Sequence, residues 1–267
     1  MSLKPTKIEW CTHSWNPVTG CLHGCEYCYA RGIARRFCLN GWRSAEYGGA
    51  HWHGNPTRHR VLPDMTEDEA KRLPIDHFPY GFDPTFHVYR LNDPANRKKP
   101  ARIFVCSMAD LFGEWVPDSW IEEVFAACER APQHNYMFLT KNPGRYMELA
   151  QRGLLPEGNN YWFGSTVTTC RDEFWWSNSH NSFLSIEPMH ERFDCADPQA
   201  KKADWIIIGA ESGSRKGKVT PKREWIEELC GAADAVGIPM FMKDSLLPIM
   251  GEADMRRELP LGLRDKT

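Results

Sequence analysis

The chain has no long apolar segment. Its longest uninterrupted run, Trp205 to Ala210, falls far short of the roughly 20 residues that cross a bilayer as a helix. The opening stretch, Met1 to Trp15, holds no apolar core of signal-peptide length, so a cytoplasmic location and no membrane partner are expected. Neither sign of charge dominates: 33 Lys and Arg against 35 Asp and Glu leave a net charge of -2. That balance excludes a polybasic nucleic-acid coat but not a local basic groove. Among ten histidines no two form an HExxH or HxxxH pair, so the helical zinc-hydrolase signature is missing. A second CxxC pair, which a zinc ribbon requires, is missing as well.

Cysteine, by contrast, is plentiful at ten residues. Without a secretory signal these thiols are not expected to form disulfides, and closely spaced ones point to metal ligation. Seven are scattered: Cys11, Cys38, Cys106, Cys128, Cys170, Cys195 and Cys230. Apart from Cys11, they are expected as small buried hydrophobes. The other three fall within eight residues, Cys21-Leu-His-Gly-Cys25-Glu-Tyr-Cys28. Three thiolates on a glycine-containing loop before a helix-compatible stretch, Tyr29 to Arg36, can ligate three irons of a four-iron cluster and leave the fourth iron open. The same thiols could hold zinc if His23 or Cys11 supplied a fourth ligand. With Cys11 as fourth ligand a cluster would be closed, and would serve electron transfer or structure.

After residue 100 apolar, β-prone runs alternate with helix-compatible stretches. The runs are Arg102 to Cys106, Tyr136 to Thr140, Tyr161 to Gly164, Phe183 to Ile186, Asp204 to Ile208 and Pro239 to Met242. Continuous apolar strands suit a parallel sheet covered on both faces. Pro117 to Arg130 places Trp120, Ile121, Val124, Phe125 and Cys128 on one helical face; Lys222 to Val236 has a similar pattern, with Gly237 as its stop. The spacing predicts one α/β domain over 1–267, a partial (β/α)6-type parallel TIM-like barrel. Residues 40–100, crowded with Gly, Pro, His and charge apart from a short predicted helix Thr66 to Leu73, are expected to form an irregular insertion or lid over its mouth. Ligands of such folds meet the C-terminal strand ends, which here carry Ser107, Asp110, Thr140, Lys141, Ser165, Thr166, Glu187, Glu211, Ser212, Lys243 and Asp244.

The cysteine segment resembles the radical S-adenosylmethionine superfamily, whose hallmark is CxxxCxxC with an aromatic residue just before the third cysteine, here Tyr27. Lys7 to Cys21, Ser107-Met-Ala-Asp-Leu-Phe112, Leu139-Thr-Lys-Asn-Pro143, Ser185-Ile-Glu-Pro188 and Gly209-Ala-Glu-Ser-Gly213 are similar to phage and bacterial three-cysteine-motif proteins, themselves distantly similar to spore photoproduct lyase. The resemblance implies a [4Fe-4S] cluster on Cys21, Cys25 and Cys28. It further implies reductive cleavage of S-adenosylmethionine to a 5'-deoxyadenosyl radical, fed by an external electron donor such as flavodoxin or ferredoxin. It assigns Tyr27 to the adenine, Ser107 and Asp110 to the methionine amino group, Ser165 and Thr166 to the ribose, and Glu187 to a similar role. Gly209 and Glu211 lie in the motif that lets the backbone approach the cofactor. The alternative class is a non-catalytic iron-sulfur or zinc-binding protein.

Basic residues cluster at Arg31, Arg35 and Arg36; at Arg58, His59, Arg60 with Arg97, Lys98 and Lys99; and at Arg215, Lys216, Lys218, Lys222 and Arg223. With Trp42, Tyr47 and Trp52 between them, they suggest a nucleic-acid or nucleotide substrate. His51-Trp-His53 reads as a solvated loop.

Overall fold

The computed structural model describes residues 3–37, 60–62, 78, 80–193, 202–212 and 215–264. The strands are β1 (Lys4–Pro5), β2 (His13–Trp15), β3 (Val18–Thr19), β4 (Arg60–Leu62), β5 (Thr85–His87), β6 (Arg102–Val105), β7 (Asn135–Thr140), β8 (Tyr161–Val167), β9 (Asn181–Ile186), β10 (Trp205–Ile208) and β11 (Met240–Met242). The helices are α1 (Tyr29–Phe37), α2 (Asp93–Asn96), α3 (Asp118–Glu129), α4 (Gly144–Gln151), α5 (Arg223–Val236) and α6 (Leu247–Met250). No helix among the described residues is long and apolar enough to cross a membrane.

Eight strands form one sheet in the order β1-β2-β6-β7-β8-β9-β10-β11, with β3-β5-β4 as a small second sheet. Only β1 runs antiparallel in the large sheet. The sheet is open. All six apolar runs after residue 100 are parallel strands, each within about two residues of its expected start.

From β6 to β11 spatial order follows chain order without reversal, so right-handed crossovers return on the same side. Accordingly α3, α4 and α5 cover one face. Trp120, Ile121, Val124 and Phe125 of α3 and Tyr146 of α4 pack with Ile103, Val105, Tyr136, Phe138 and Phe163. Ile226, Leu229 and Ala233 of α5 pack with Leu184, Ile186, Ile206, Ile208, Met240 and Met242. Helix α5 ends at Gly237 in the left-handed conformation, φ 72°, which a residue without Cβ adopts at little cost.

The alternate positions build the opposite face. Phe104, Met137, Trp162, Phe183, Trp205, Ile207 and Phe241 form a second core with Trp10 and Cys11 from the N-terminal segment and Leu263 from the C-terminal one. Each large side chain there contributes about 2 kcal/mol on burial. Gly164 belongs to this layer: a Cβ on it would lie 2.2 Å from the Phe183 ring. The C-terminal segment first runs beside β11, with Met242 N–H donating to Arg256 O at 2.8 Å and Glu258 N–H to Met240 O at 3.0 Å. It then reaches β6, where Arg102 Nη1 donates to Leu263 O at 3.1 Å.

Of the stretch expected as an insertion, residues 40–59, 63–77 and 79 lie outside the described residues, and with them His51, His53, Arg58, His59 and the expected helix Thr66 to Leu73; Cys38, just before it, lies outside them too. Its final third is integrated with the domain: Phe86 and Leu91 are in the main core, and Trp15 Nε1 donates to Arg90 O at 2.9 Å.

Candidate functional site

The first turn of the site is made by glycine. Gly20 sits at φ 88°, and a Cβ there would lie 2.2 Å from Asp83 O, so this close crossing needs a residue without a side chain. Its N–H donates to Met108 O at 2.9 Å, and the next, of Cys21, to Phe82 O at 3.1 Å. The chain is thereby tied to the turn after β6 on one side and to Phe82 on the other before the cysteine loop begins. Gly24, at φ 73°, turns the loop between its first two cysteines. Cys28 leads into α1, whose Ala30 and Ala34 pack on Phe78 and Phe82. Arg31 closes the loop from above: its backbone N–H donates to Cys28 Sγ at 3.4 Å and its Nη2 to Cys21 O at 3.3 Å.

Cys21, Cys25 and Cys28 all line one cleft of about 180 Å³ at the C-terminal ends of the parallel strands. Burial pushes the Cys21 thiol up to about 12 and also raises Cys25. Both are therefore neutral thiols at pH 7 until a cation draws off the proton. Among the described residues no three His, Cys, Asp or Glu side chains are already gathered in the geometry of a metal-ion site. The donor chemistry nevertheless suits a thiolate-ligated group: three thiols face one cleft, and a backbone N–H points at one sulfur.

Asp110 organises the wall beside them. Its Oδ1 accepts from Phe112 N–H at 3.0 Å and Thr140 Oγ1 at 2.8 Å; its Oδ2 accepts from Lys141 N–H at 2.9 Å and lies 2.7 Å from His23 Nε2. Lys141 Nζ donates to Tyr27 OH at 2.9 Å, and burial raises the pKa of that phenol. Tyr29 OH donates to Ser107 O at 2.8 Å. Across the cleft Glu187 pairs with Lys243. The nearly buried Glu211 is held by Arg215 through two bonds, Nε to Oε1 at 2.7 Å and Nη2 to Oε2 at 2.8 Å. Arg215 also reaches Glu26 at 3.3 Å, which joins the cysteine loop to the loop after β10.

Of the residues expected at the site, Tyr27, Ser107, Asp110, Thr166, Glu187 and Glu211 line the cleft with the three cysteines. Two do not. Ser165 is fully buried on the helix-covered side, its Oγ accepting from Trp175 N–H at 3.1 Å. Successive side chains of a strand point to opposite faces, so Ser165 and Thr166 cannot both face one cleft. Gly209 lies behind the wall, where a Cβ would come 3.2 Å from Lys243 Cδ and 3.4 Å from Glu187 Cδ. Cys11 is under the floor, with Ile8 O 3.7 Å from its Sγ. Of the scattered cysteines, Cys106 and Cys128 are buried as expected, whereas Cys170 is exposed because it lies in the turn that Asp172 caps; Cys195 lies outside the described residues.

Sequence reading did not single out Ser185, Tyr29 or Phe82, all of which line the cleft. The signal for Ser185 was its two-residue offset from Phe183 on the same strand face. His23, a candidate fourth zinc ligand from the sequence, is the partner of Asp110. The third basic cluster is partly spent in ion pairs, Arg215 with Glu211 and Arg223 with Glu227 and Asp254.

Fold and site together define an α/β protein with an open, mostly parallel sheet and a three-cysteine loop over its C-terminal strand ends. The chain belongs to the family described as protein of unknown function DUF5131, which it matches over residues 5–246. That span contains every cleft residue and stops short of the segment that carries Leu263. No curated protein and no solved structure matches the chain.

Proposed function

We propose that the protein is a radical S-adenosylmethionine enzyme in which Cys21, Cys25 and Cys28 hold a [4Fe-4S] cluster. The observation that carries this reading is the presence of all three thiols and Tyr27 on one cleft at the C-terminal ends of parallel strands, where such folds keep their ligands. The cluster, when bound and reduced, supplies the electron that cleaves S-adenosylmethionine to methionine and a 5'-deoxyadenosyl radical.

The chain's own groups position and shield. Arg31 holds the cysteine loop, Asp110 holds His23 and the start of the Lys141 loop, and Lys141 orients the Tyr27 phenol. Phe82, Phe104 and Leu139 make the apolar part of the lining, which keeps water from a reactive radical. Thr166 and Ser185 present hydroxyls to the bound ligand. In this reading the open sheet with helices on one face is a partial (β/α)6-type barrel, the enzyme is cytoplasmic, and a flavodoxin or ferredoxin supplies electrons. The substrate class is a nucleic-acid base or nucleotide, suggested by Arg31, Arg35 and Arg36 on α1, the helix that follows the cysteine loop.

A closed zinc or cluster site needs a fourth donor. Cys11 lies beneath the floor, which leaves no fourth thiol among the described residues for a closed cluster; His23 lines the cleft with one ring nitrogen on Asp110, so it is the fourth ligand that the competing zinc reading would use. Anaerobic reconstitution with iron and sulfide, followed by dithionite and S-adenosylmethionine, tests the open-site reading. Broad visible cluster absorbance and formation of 5'-deoxyadenosine are expected; bound zinc without that absorbance, or a stable cluster that never yields 5'-deoxyadenosine, overturns the reading.

A further inference from the structure

Among the described residues Cys106 alone, glycines apart, has a positive φ, 60°. A residue with a Cβ keeps this left-handed conformation only where its surroundings fix it, and such strain gathers at functional sites. Cys106 opens the turn after β6, with its side chain in the main core. Its N–H donates to Trp15 O at 2.8 Å, and its carbonyl accepts from Ala109 N–H at 3.0 Å. The residue after Trp15 closes the turn: Asn16 Oδ1 accepts from Met108 N–H at 2.9 Å and from Ser107 Oγ at 3.3 Å.

The turn so fixed grips the cysteine loop at three points. At the entry, Gly20 bridges to Ala109 and donates its N–H to Met108 O at 2.9 Å. Between the first two cysteines, His23 Nε2 lies 2.7 Å from Asp110 Oδ2. At the exit, Tyr29 OH donates to Ser107 O at 2.8 Å. Both carbonyls that serve the loop belong to residues that Asn16 holds. Asn16 is anchored from behind in its turn, since the buried Arg90 donates Nη1 to its carbonyl at 2.8 Å. His87 fixes the residues that follow: its N–H donates to Pro17 O at 2.8 Å, and its Nε2 lies 2.8 Å from Thr19 Oγ1.

We infer that Asn16 is the positioning residue of the cysteine loop: its side chain clamps the turn 106–110, and through that turn it sets the spacing of Cys21, Cys25 and Cys28. An acceptor on a separate segment is needed because the left-handed Cys106 would otherwise relax and carry both carbonyls away from the loop. The assignment rests on the reading of the three cysteines as ligands of one centre, and it is the same for a cluster or for zinc.

Two measurements on the full-length protein without metal test it: hydrogen exchange resolved to single amides, and titration with arsenite, a soft probe that takes up three thiolates. In Asn16→Ala the Gly20 and Cys21 amides are expected to exchange about tenfold faster, the loss of one hydrogen bond passed on to the loop, while the amides of β7 and β8 stay as they were. Arsenite should bind this variant about tenfold more weakly. Asn16→Asp keeps an acceptor oxygen in place beside Arg90 and should stay within about threefold of the unmodified protein in both measurements. Unchanged Gly20 and Cys21 exchange in Asn16→Ala, an increase shared equally by β7 and β8, or an Asn16→Asp variant that behaves like Asn16→Ala overturns the clamp. Cys21→Ala separates this role from the reading it rests on. Arsenite binding that Cys21→Ala leaves unaltered removes the shared centre and the positioning role with it, whereas binding lost in Cys21→Ala but retained in Asn16→Ala removes the positioning role alone.

Discussion

His23 Nε2 and Asp110 Oδ2 lie 2.7 Å apart, and this contact fastens the cysteine loop to the turn after β6. Asp110 also accepts from Phe112, Thr140 and Lys141. Asp110→Asn turns one acceptor oxygen into a donor facing other donors inside a buried network. A loss of about 3 kcal/mol is expected, together with weaker iron loading. Chemical denaturation and iron content measure the two effects, and an unaltered denaturation midpoint would contradict the organising role given to Asp110.

Iron and sulfide content after anaerobic reconstitution should separate the cysteines. Cys21→Ala, Cys25→Ala and Cys28→Ala are each expected to lose the cluster. Cys11→Ala should keep full content, because its thiol lies in the core under the floor. Equal loss in all four variants would defeat the open-site reading.

Loading should depend on pH with a definite sign. Burial holds Cys21 up to about 12 and raises Cys25, whereas a ligating sulfur must be a thiolate, so loading releases protons. The apparent affinity for iron should therefore rise with pH between about 6 and 9. Competition against a chelator at fixed free iron measures it; affinity that falls across this range would contradict neutral thiols in the empty site.

The Glu211–Arg215 pair makes an opposite contribution in acid. Arg215 holds the Glu211 carboxyl below its ordinary value of 4.5, so the pair stabilises the fold above about 4.5 and the stabilisation is lost as pH falls through the lower folded value. Arg215→Ala should raise the pH midpoint of acid unfolding, read by circular dichroism. A midpoint that stays where it was would show that the pair contributes nothing measurable.

Two positions test the floor. Gly164→Ala would push a methyl group to 2.2 Å from the Phe183 ring and should cost about 2 kcal/mol by overpacking. Leu263→Ala opens a cavity at a side chain that is 1% exposed, with an expected cost of about 3 kcal/mol. Both should appear as lower melting temperatures, by roughly 2–4 °C for each kcal/mol.

Much of this protein is determined by local sequence. Continuous apolar runs marked six parallel strands because a strand buried on both faces needs no alternation, and helical periodicity with Gly237 marked α5 and its end. The spacing of Cys21, Cys25 and Cys28 brings three thiols within one loop whatever the rest of the chain does. Tertiary structure alone decided which polar residues at the strand ends meet. Thr166 faces the cleft and Ser165 does not because side-chain direction depends on register with β9, and a single strand read by itself does not say which face is inside. Ser185, Phe82 and Tyr29 join the cleft, and His23 finds Asp110, through contacts between segments far apart in the chain. Cys11 lies only ten residues from Cys21, yet the turn at Ile8 to Cys11 buries it below the floor. Local sequence sets which groups are present and how each segment folds; which groups share a site is set by packing between segments, and that information is not contained in spacing.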